Sequence, residues 1–167
     1  MEKLQSALEK ARRTRITPPE QAASKSVSPS KRKQQLPAWQ DLRQFEPDET
    51  LLIKNRVLSF NPTQDASQFD IMRTKIVLQM QRNKWSRIAI TSPTSSCGKS
   101  TLACNLIAGL SRQSDMRSIL IDLDLRQPKT AQIFGIQPEH DISDVLGGKV
   151  DFAEQAVKLR ENAALSC

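Results

Sequence analysis

Residues 90–106, ITSPTSSCGKSTLACNL, contain the ending of a phosphate-binding loop. Gly98, Lys99 and Ser100 form the G-K-[ST] ending of such loops, and an apolar helical pattern follows them. Glycine lets the backbone approach a phosphate, the lysine reaches the β- and γ-phosphates, and the serine hydroxyl binds Mg²⁺. Pro93 replaces the first glycine of the usual pattern and fixes the turn at the end of the preceding strand. The pattern predicts a nucleotide-phosphate site.

The residues expected to contact the nucleotide belong to the loop and the helix start: Thr94, Ser95, Ser96, Cys97, Gly98, Lys99, Ser100 and Thr101. Ser95 and Ser96 are small enough to keep the loop open, and Ser96 is expected to adopt a glycine-like conformation. Cys97 lies before a helix and beside Lys99, two conditions that lower a thiol pKa. We interpret Cys97 as a passive small residue, with redox blocking of the site as the alternative.

The stretch ILIDLDLRQP supplies two carboxylates two positions apart, Asp122 and Asp124. Residues i and i+2 project from the same side of a strand, and ligands bind at the carboxyl ends of strands in open α/β sheets. Together with Ser100, the two carboxylates predict a hard oxygen site suited to Mg²⁺. Arg126 is placed to neutralise charge on a transferred phosphoryl group. The alternative is a strand-end turn with solvated acids.

The elements around these motifs alternate between strands and helices. Residues 51–60 are predicted to form a strand or an extended edge segment. Strands are predicted for residues 86–92 and 117–124, and helices for 66–82, 98–111, 131–134 and about 151–160. This alternation predicts an α/β fold with a doubly wound, mostly parallel sheet.

The chain of 167 residues has a net charge of +7, and this charge is concentrated near its start. Residues 1–36 contain nine Lys and Arg against three Glu, so the basicity belongs to a tail and not to a folded face. Residues 2–14 predict a short amphipathic helix, and residues 17–37 a disordered Pro- and Ser-rich linker. We expect residues 1–46 to precede the domain and residues 47–167 to form it.

Two further features concern the cellular setting. No apolar run approaches the ~20 residues that a membrane span needs. Three cysteines make an odd count without metal-ligand spacing, which favours a reducing, cytosolic setting.

Three stretches, TSPTSSCGKSTLACNL, ILIDLDLRQP and DISDVLGG, together resemble the bacterial tyrosine kinases of capsule and exopolysaccharide synthesis, P-loop proteins related to the MinD/ParA ATPases. The resemblance covers roughly residues 55–165. In that family the loop typically reads T-S-P-x-P-G-E-G-K-S-T, which accounts for Pro93. The second motif, D-x-D-x-R, matches Asp122, Asp124 and Arg126 in full.

The resemblance implies a cytoplasmic autokinase that transfers the γ-phosphate of Mg·ATP to protein tyrosine and regulates polysaccharide polymerisation and export. Lys99 would bind phosphate, Ser100 and Asp124 would hold Mg²⁺, Asp122 would be a base or metal ligand, and Arg126 would stabilise transferred charge. The first residues, MEKLQSALEKARRTR, resemble the start of cytosolic family members, whose activator is a separate transmembrane chain-length-determinant protein. The implied partner is the cytoplasmic segment of that protein, at the inner face of the bacterial membrane. Self-association is left open, and no specific nucleic acid is expected.

Four features depart from the family pattern. Ser96 and Cys97 replace the usual glycine and acidic residue, and only Arg73 fits the family's E-x-x-R-x-x-R pattern for ring assembly, whose other positions align with Ser67 and Asp70. No apolar run ending in a Walker B aspartate occurs between residues 135 and 167, and the sequence contains no tyrosine. We therefore expect the N-terminal part of a longer kinase, with a sheet incomplete at its C-terminus and weak activity alone.

Two other functions fit parts of the sequence. The first is a MinD/ParA-like ATPase. Such proteins have a lysine early in the loop, where this sequence has Thr94, and this difference counts against the ATPase. A non-catalytic regulator would bind nucleotide, dock on a membrane partner and signal by conformation, which would explain the missing Walker B aspartate.

Overall fold

The computed structural model describes residues 39–94 and 96–167 of the chain. The predictions for residues 2–14, for residues 17–37 and for Ser95 lie outside the described residues. The strands are β1 (Arg43–Phe45), β2 (Ser118–Ile121), β3 (Val157–Leu159) and β4 (Ala163–Ser166). The helices are α1 (Glu49–Lys54), α2 (Ser67–Asn83), α3 (Lys99–Leu110), α4 (Thr130–Phe134), α5 (Ile142–Leu146) and α6 (Phe152–Gln155).

The four strands form one sheet in the order β1-β3-β4-β2. β1 pairs in parallel with β3, and β2 pairs in parallel with β4, with Leu120 opposite Leu165. β3 and β4 pair antiparallel. Two of the three ladders are therefore parallel, which confirms the predicted α/β class with a mostly parallel sheet. β1 belongs to this sheet although it precedes residue 47, where the sequence placed the start of the domain.

The main apolar core lies where α1, α3 and α4 pack together and against the sheet. Its fully buried members include Leu52, Val57, Phe134, Leu159 and Leu165. Burying one such side chain stabilises the fold by roughly 1.5–3 kcal/mol. The core fixes α3 against β2 and β4, and α3 carries the phosphate loop at its N-terminal end.

Two predicted helices are confirmed almost to the residue. The helix predicted for 66–82 is α2, and it ends at Lys84, which has a left-handed backbone with φ of 56°. The helix predicted for 98–111 is α3, and it begins after Gly98. No helix among the described residues is long and apolar enough to cross a membrane.

The strand predicted for residues 51–60 is wrong, because these residues begin inside a helix. The Asp48 side chain accepts a hydrogen bond from the Thr50 N–H at 2.8 Å and caps α1. Glu49 adds a favourable negative charge in the first turn. Asp48 and Glu49, which favour the start of a helix, lie immediately before the apolar residues 51–53. Their effect outweighs the strand-like run of apolar side chains.

The strand predicted for residues 86–92 is also wrong, since residues 85–92 belong to no strand or helix. A strand needs a partner for its backbone, and β2, which closes one side of the sheet, has no described strand beyond it. Ile88 is accordingly 44% exposed. The strand predicted for residues 117–124 shortens to β2, and Ile119 and Ile121, which share one face of the strand, are exposed instead of buried.

The helix predicted for about 151–160 is only partly correct. α6 covers Phe152–Gln155, and Ala156 then adopts an extended backbone with ψ of 147°. β3 follows, and its three residues are all buried because strands pair with it on both sides. Pairing with β1 and β4 therefore decides the conformation of residues 157–159.

Candidate nucleotide-binding site

The phosphate loop ends at Gly98, which adopts a left-handed backbone with φ of 84° and precedes the first residue of α3. No heavy atom lies within 4 Å of the position that a Cβ of Gly98 would occupy. No side chain caps the first N–H groups of α3. A helix start without a side-chain cap and with open space at Gly98 is a suitable geometry for binding an anion.

The loop before Gly98 is folded on itself by short-range contacts. Ser96 has a φ of 60°, which confirms the predicted glycine-like conformation. The Ser92 hydroxyl donates to the Thr94 carbonyl at 2.8 Å, and Thr94 Oγ1 lies 2.7 Å from Cys97 Sγ. The Thr94 hydroxyl lowers the pKa of the Cys97 thiol, and the positive charge of Lys99 contributes in the same direction. The exposed Cys97 thus has increased thiolate character.

Lys99 joins the phosphate loop to the end of β2. Its Nζ lies 2.6 Å from Asp124 Oδ2, and the two side chains are 32% and 26% exposed. The hydrogen bond with Asp124 raises the pKa of Lys99, and the same bond lowers the pKa of Asp124. Both groups are therefore charged at neutral pH. The two motifs that the sequence singled out separately meet at this ion pair.

Asp122 organises the loop that carries Asp124. Its Oδ1 accepts from the Asp124 N–H at 3.0 Å, and its Oδ2 accepts from the N–H groups of Lys129 at 3.1 Å and Thr130 at 3.0 Å. Burial opposes ionisation of Asp122, but the hydrogen bonds from Thr130, Asp124 and Lys129 outweigh it and lower its pKa. This carboxylate holds the shape of the loop, and its predicted role as base or metal ligand stays a prediction.

A cleft of about 630 Å³ lies between the phosphate loop, the start of α3 and the residues after β2. The described residues predicted for the site all line this cleft, with the exception of Asp122. Asp122 instead accepts a hydrogen bond from the N–H of the lining residue Asp124. Lys129, which was not among the predicted site residues, lines the cleft together with Lys99 and the exposed Arg126. The sequence signal that could have identified Lys129 is its position after Pro128, in the loop that also carries Asp124 and Arg126. Three cations against the Asp124 carboxylate favour a ligand with several negative charges.

The oxygen atoms near the loop are of the kind that Mg²⁺ prefers. Ser100 and Asp124 both line the cleft. Among residues 39–94 and 96–167, no cluster of three or more His, Cys, Asp or Glu is placed to hold a metal. Magnesium at nucleotide sites commonly uses one or two carboxylates together with phosphates and water. The donor set therefore fits a magnesium ion that arrives with a nucleotide.

Arg73, the residue that fits the ring-assembly pattern, is engaged within the chain. Its Nη1 donates to the Gly109 carbonyl at 2.8 Å and lies 3.0 Å from Asp70 Oδ1. Asp70 also pairs with Arg112. These contacts connect α2 to the end of α3, which explains why the Arg73 side chain is only 15% exposed.

Comparison with known proteins finds similarity to a nucleotide-binding domain and to tyrosine-protein kinases. Residues 88–164 match the CobQ/CobB/MinD/ParA nucleotide binding domain. The chain is 33% identical over 97 residues to the tyrosine-protein kinase wzc of Salmonella typhi, covering 58% of this chain and 13% of that protein. It is 32% identical over 78 residues to the tyrosine-protein kinase etk of Escherichia coli K12, covering 47% and 11%.

A third relative is the putative tyrosine-protein kinase CapB of Staphylococcus aureus, 27% identical over 95 residues that cover 57% of this chain and 41% of that protein. The matched segment thus spans less than half the length of each of these relatives. No solved structure matches the chain. The matches confirm the P-loop fold class and the resemblance to bacterial tyrosine kinases.

Proposed function

We propose that this chain, whose residues 88–164 match the CobQ/CobB/MinD/ParA nucleotide binding domain, binds Mg·ATP in the cleft at the start of α3. The observation that carries this proposal is the 2.6 Å contact between Lys99 of the phosphate loop and Asp124 of the D-x-D-x-R motif. It joins a phosphate-binding cation and a metal-binding carboxylate in one cleft. The start of α3, Lys99 and Lys129 supply positive potential for the phosphates.

The second part of the proposal concerns the reaction. The chain acts as part of a cytoplasmic protein-tyrosine kinase of exopolysaccharide synthesis, at the inner face of the membrane beside a chain-length-determinant protein. The similar proteins named tyrosine-protein kinases support this part. Phosphoryl transfer is mostly positioning plus electrostatic stabilisation.

Each residue has a defined task in this reaction. Lys99 and the N–H groups of α3 orient the phosphates, and Arg126 faces the cleft where charge develops. A bound Mg²⁺, held by Ser100 and Asp124, would neutralise phosphate charge. Asp122 keeps Asp124 in place through the Asp124 N–H. Because the sequence contains no tyrosine, the acceptor must lie outside these 167 residues.

Calorimetry with Mg·ATP and Mg·ADP tests the binding step. We expect binding by the chain and a loss of at least about tenfold in affinity for Lys99→Ala, since one charge-assisted phosphate contact is removed. Lys149→Ala is the matched control, because Lys149 pairs with Asp144 at 2.8 Å on an exposed surface. Equal loss in both variants, or no binding by a folded chain, would overturn the nucleotide site.

Transfer to tyrosine is tested separately with a synthetic Glu/Tyr polymer as the acceptor. Phosphotyrosine formed by the chain and not by Lys99→Ala would support the kinase. Nucleotide binding without transfer would favour the non-catalytic regulator. ATP hydrolysis without transfer would favour a MinD/ParA-like ATPase.

A further inference from the structure

The ion pair of Lys99 and Asp124 engages two residues that have different tasks in the proposed function. Lys99 is needed by the phosphates, and Asp124 is needed by the metal. In this structure each is the counter-ion of the other, at 2.6 Å. A phosphate that approaches alone therefore finds its lysine partly neutralised and meets a carboxylate in the same cleft.

We propose that this ion pair is a latch that makes nucleotide binding depend on the metal. Asp124 would take a magnesium ion as its counter-ion in place of Lys99, and Lys99 Nζ would then turn to the phosphates. The inference rests on the proposed nucleotide-binding function and adds a regulation of that same site. It makes the metal and the nucleotide cooperative ligands, each strengthening the binding of the other.

The hydrogen bonds around Asp124 determine which partner moves. Asp124 Oδ1 accepts from the Gln127 N–H at 3.2 Å, and the Asp124 N–H donates to Asp122 at 3.0 Å. The carboxylate is thus fixed by the backbone on one oxygen and faces Lys99 with the other. Lys99 lies in the first turn of α3 and reaches Asp124 through a long unbranched side chain, which can adopt another rotamer without moving the helix. Opening the latch therefore requires movement of the lysine side chain alone.

The test compares ADP binding in excess EDTA and in Mg²⁺, for the wild-type chain and for Asp124→Asn. Couplings between sites typically correspond to changes of about 5–150-fold. We expect Mg²⁺ to tighten ADP binding to the wild type within that range. In EDTA, Asp124→Asn should bind ADP about tenfold or more tightly than the wild type, because Lys99 is free. Asp144→Asn, which breaks an exposed ion pair with Lys149, should leave both affinities unchanged.

A double-mutant cycle separates the latch from simple repulsion by the carboxylate. If the gain of Asp124→Asn arises through Lys99, it disappears in the Lys99→Ala background. If the gain persists there, repulsion alone explains it and the latch is overturned. Equal ADP affinity of the wild type and Asp124→Asn in EDTA also overturns it. Absence of ADP binding by all folded chains under all conditions instead refutes the nucleotide site itself.

A measurement on the wild-type chain needs no variant. Release from Asp124 makes the Lys99 amine more accessible to an amine-reactive reagent. We expect Mg²⁺ alone to increase labelling of Lys99 relative to Lys149, as quantified by mass spectrometry. An unchanged ratio at saturating Mg²⁺ would contradict the latch.

Discussion

Asn105 Oδ1 accepts hydrogen bonds from both the N–H and the hydroxyl of Ser59, at 3.1 and 3.2 Å, and both residues are fully buried. The same oxygen accepts from the Leu58 N–H at 2.8 Å, while Nδ2 donates to the carbonyls of Arg56 and Thr101 at 2.8 and 2.9 Å. One side chain thus fastens the segment after α1 to the helix that begins at the phosphate loop.

Replacing this amide should destabilise the fold. Asn105→Ala leaves the N–H groups of Leu58 and Ser59 without their acceptor, and each buried unsatisfied group costs about 1–3 kcal/mol. We expect a loss of about 2–4 kcal/mol in the free energy of unfolding, measured with urea. Asn83→Ala is the control, since the Asn83 side chain donates to the Gln79 carbonyl at an exposed position, and its effect should stay within about 0.5 kcal/mol. Equal effects would show that the Asn105 contacts contribute little.

Gly135 and Gly148 allow strain and packing to be separated. Both have positive φ, 79° and 71°, so alanine at either position costs about 1–2 kcal/mol in backbone strain. A Cβ at Gly135 would also lie 2.6 Å from Leu51 Cδ2, whereas nothing lies within 4 Å at Gly148. We expect Gly135→Ala to unfold at a lower temperature than Gly148→Ala, and adding Leu51→Ala to Gly135→Ala to relieve the clash. Identical melting temperatures for the two glycine variants would contradict this.

The three cysteines should differ sharply in reactivity. Cys97 is exposed, and Thr94 lowers its pKa, so its thiolate is present at a lower pH than in an ordinary thiol. Burial raises the pKa of Cys104 and of Cys167 to about 12. Ellman's reagent should therefore label one thiol per native chain at neutral pH and three after unfolding. Cys97→Ser should abolish the native reaction, and labelling of a buried thiol at the same rate would refute the assignment.

Asp122 should contribute to stability in a pH-dependent way. Its pKa is lower in the folded chain than the usual 3.8, so the contribution is fully present above pH 3.8 and is lost as the pH falls through the folded value. The difference in unfolding free energy between the wild type and Asp122→Asn should shrink between pH 6 and pH 2.5. Asp65→Asn serves as a carboxylate control outside the site. A difference that is independent of pH would mean that Asp122 gains nothing from its charge.

Local signals in the sequence were sufficient for the functional loop and the long helices. The G-K-S ending and the apolar spacing after it located α3, and the D-x-D-x-R motif located the residues that meet Lys99. Both motifs follow apolar segments, so their convergence was predictable from the general behaviour of α/β sheets. The role of Asp122 as a backbone acceptor was not, because it depends on the exact course of residues 123–130.

Other errors came from interactions distant in sequence. Residues 157–159 form a strand because β1 and β4 pair with them, and residues 86–92 form none because no described strand lies beside them. Asn105 looked like an ordinary polar residue of a helix, and nothing nearby in the sequence indicated that it binds Ser59. Pairing and burial of this kind are properties of the assembled fold.

β2 lies at the edge of the sheet and pairs with β4 on one side. Its position therefore determines which of its backbone N–H groups are exposed to solvent. The N–H groups of Ser118 and Asp122 donate to the carbonyls of Asn162 and Ser166, both at 2.9 Å. Because backbone direction alternates along a strand, the N–H groups of Ile119 and Ile121 point away from β4. Deuterium should therefore replace hydrogen quickly at Ile119 and Ile121 and slowly at Leu120, so that one short strand shows alternating rates of hydrogen exchange.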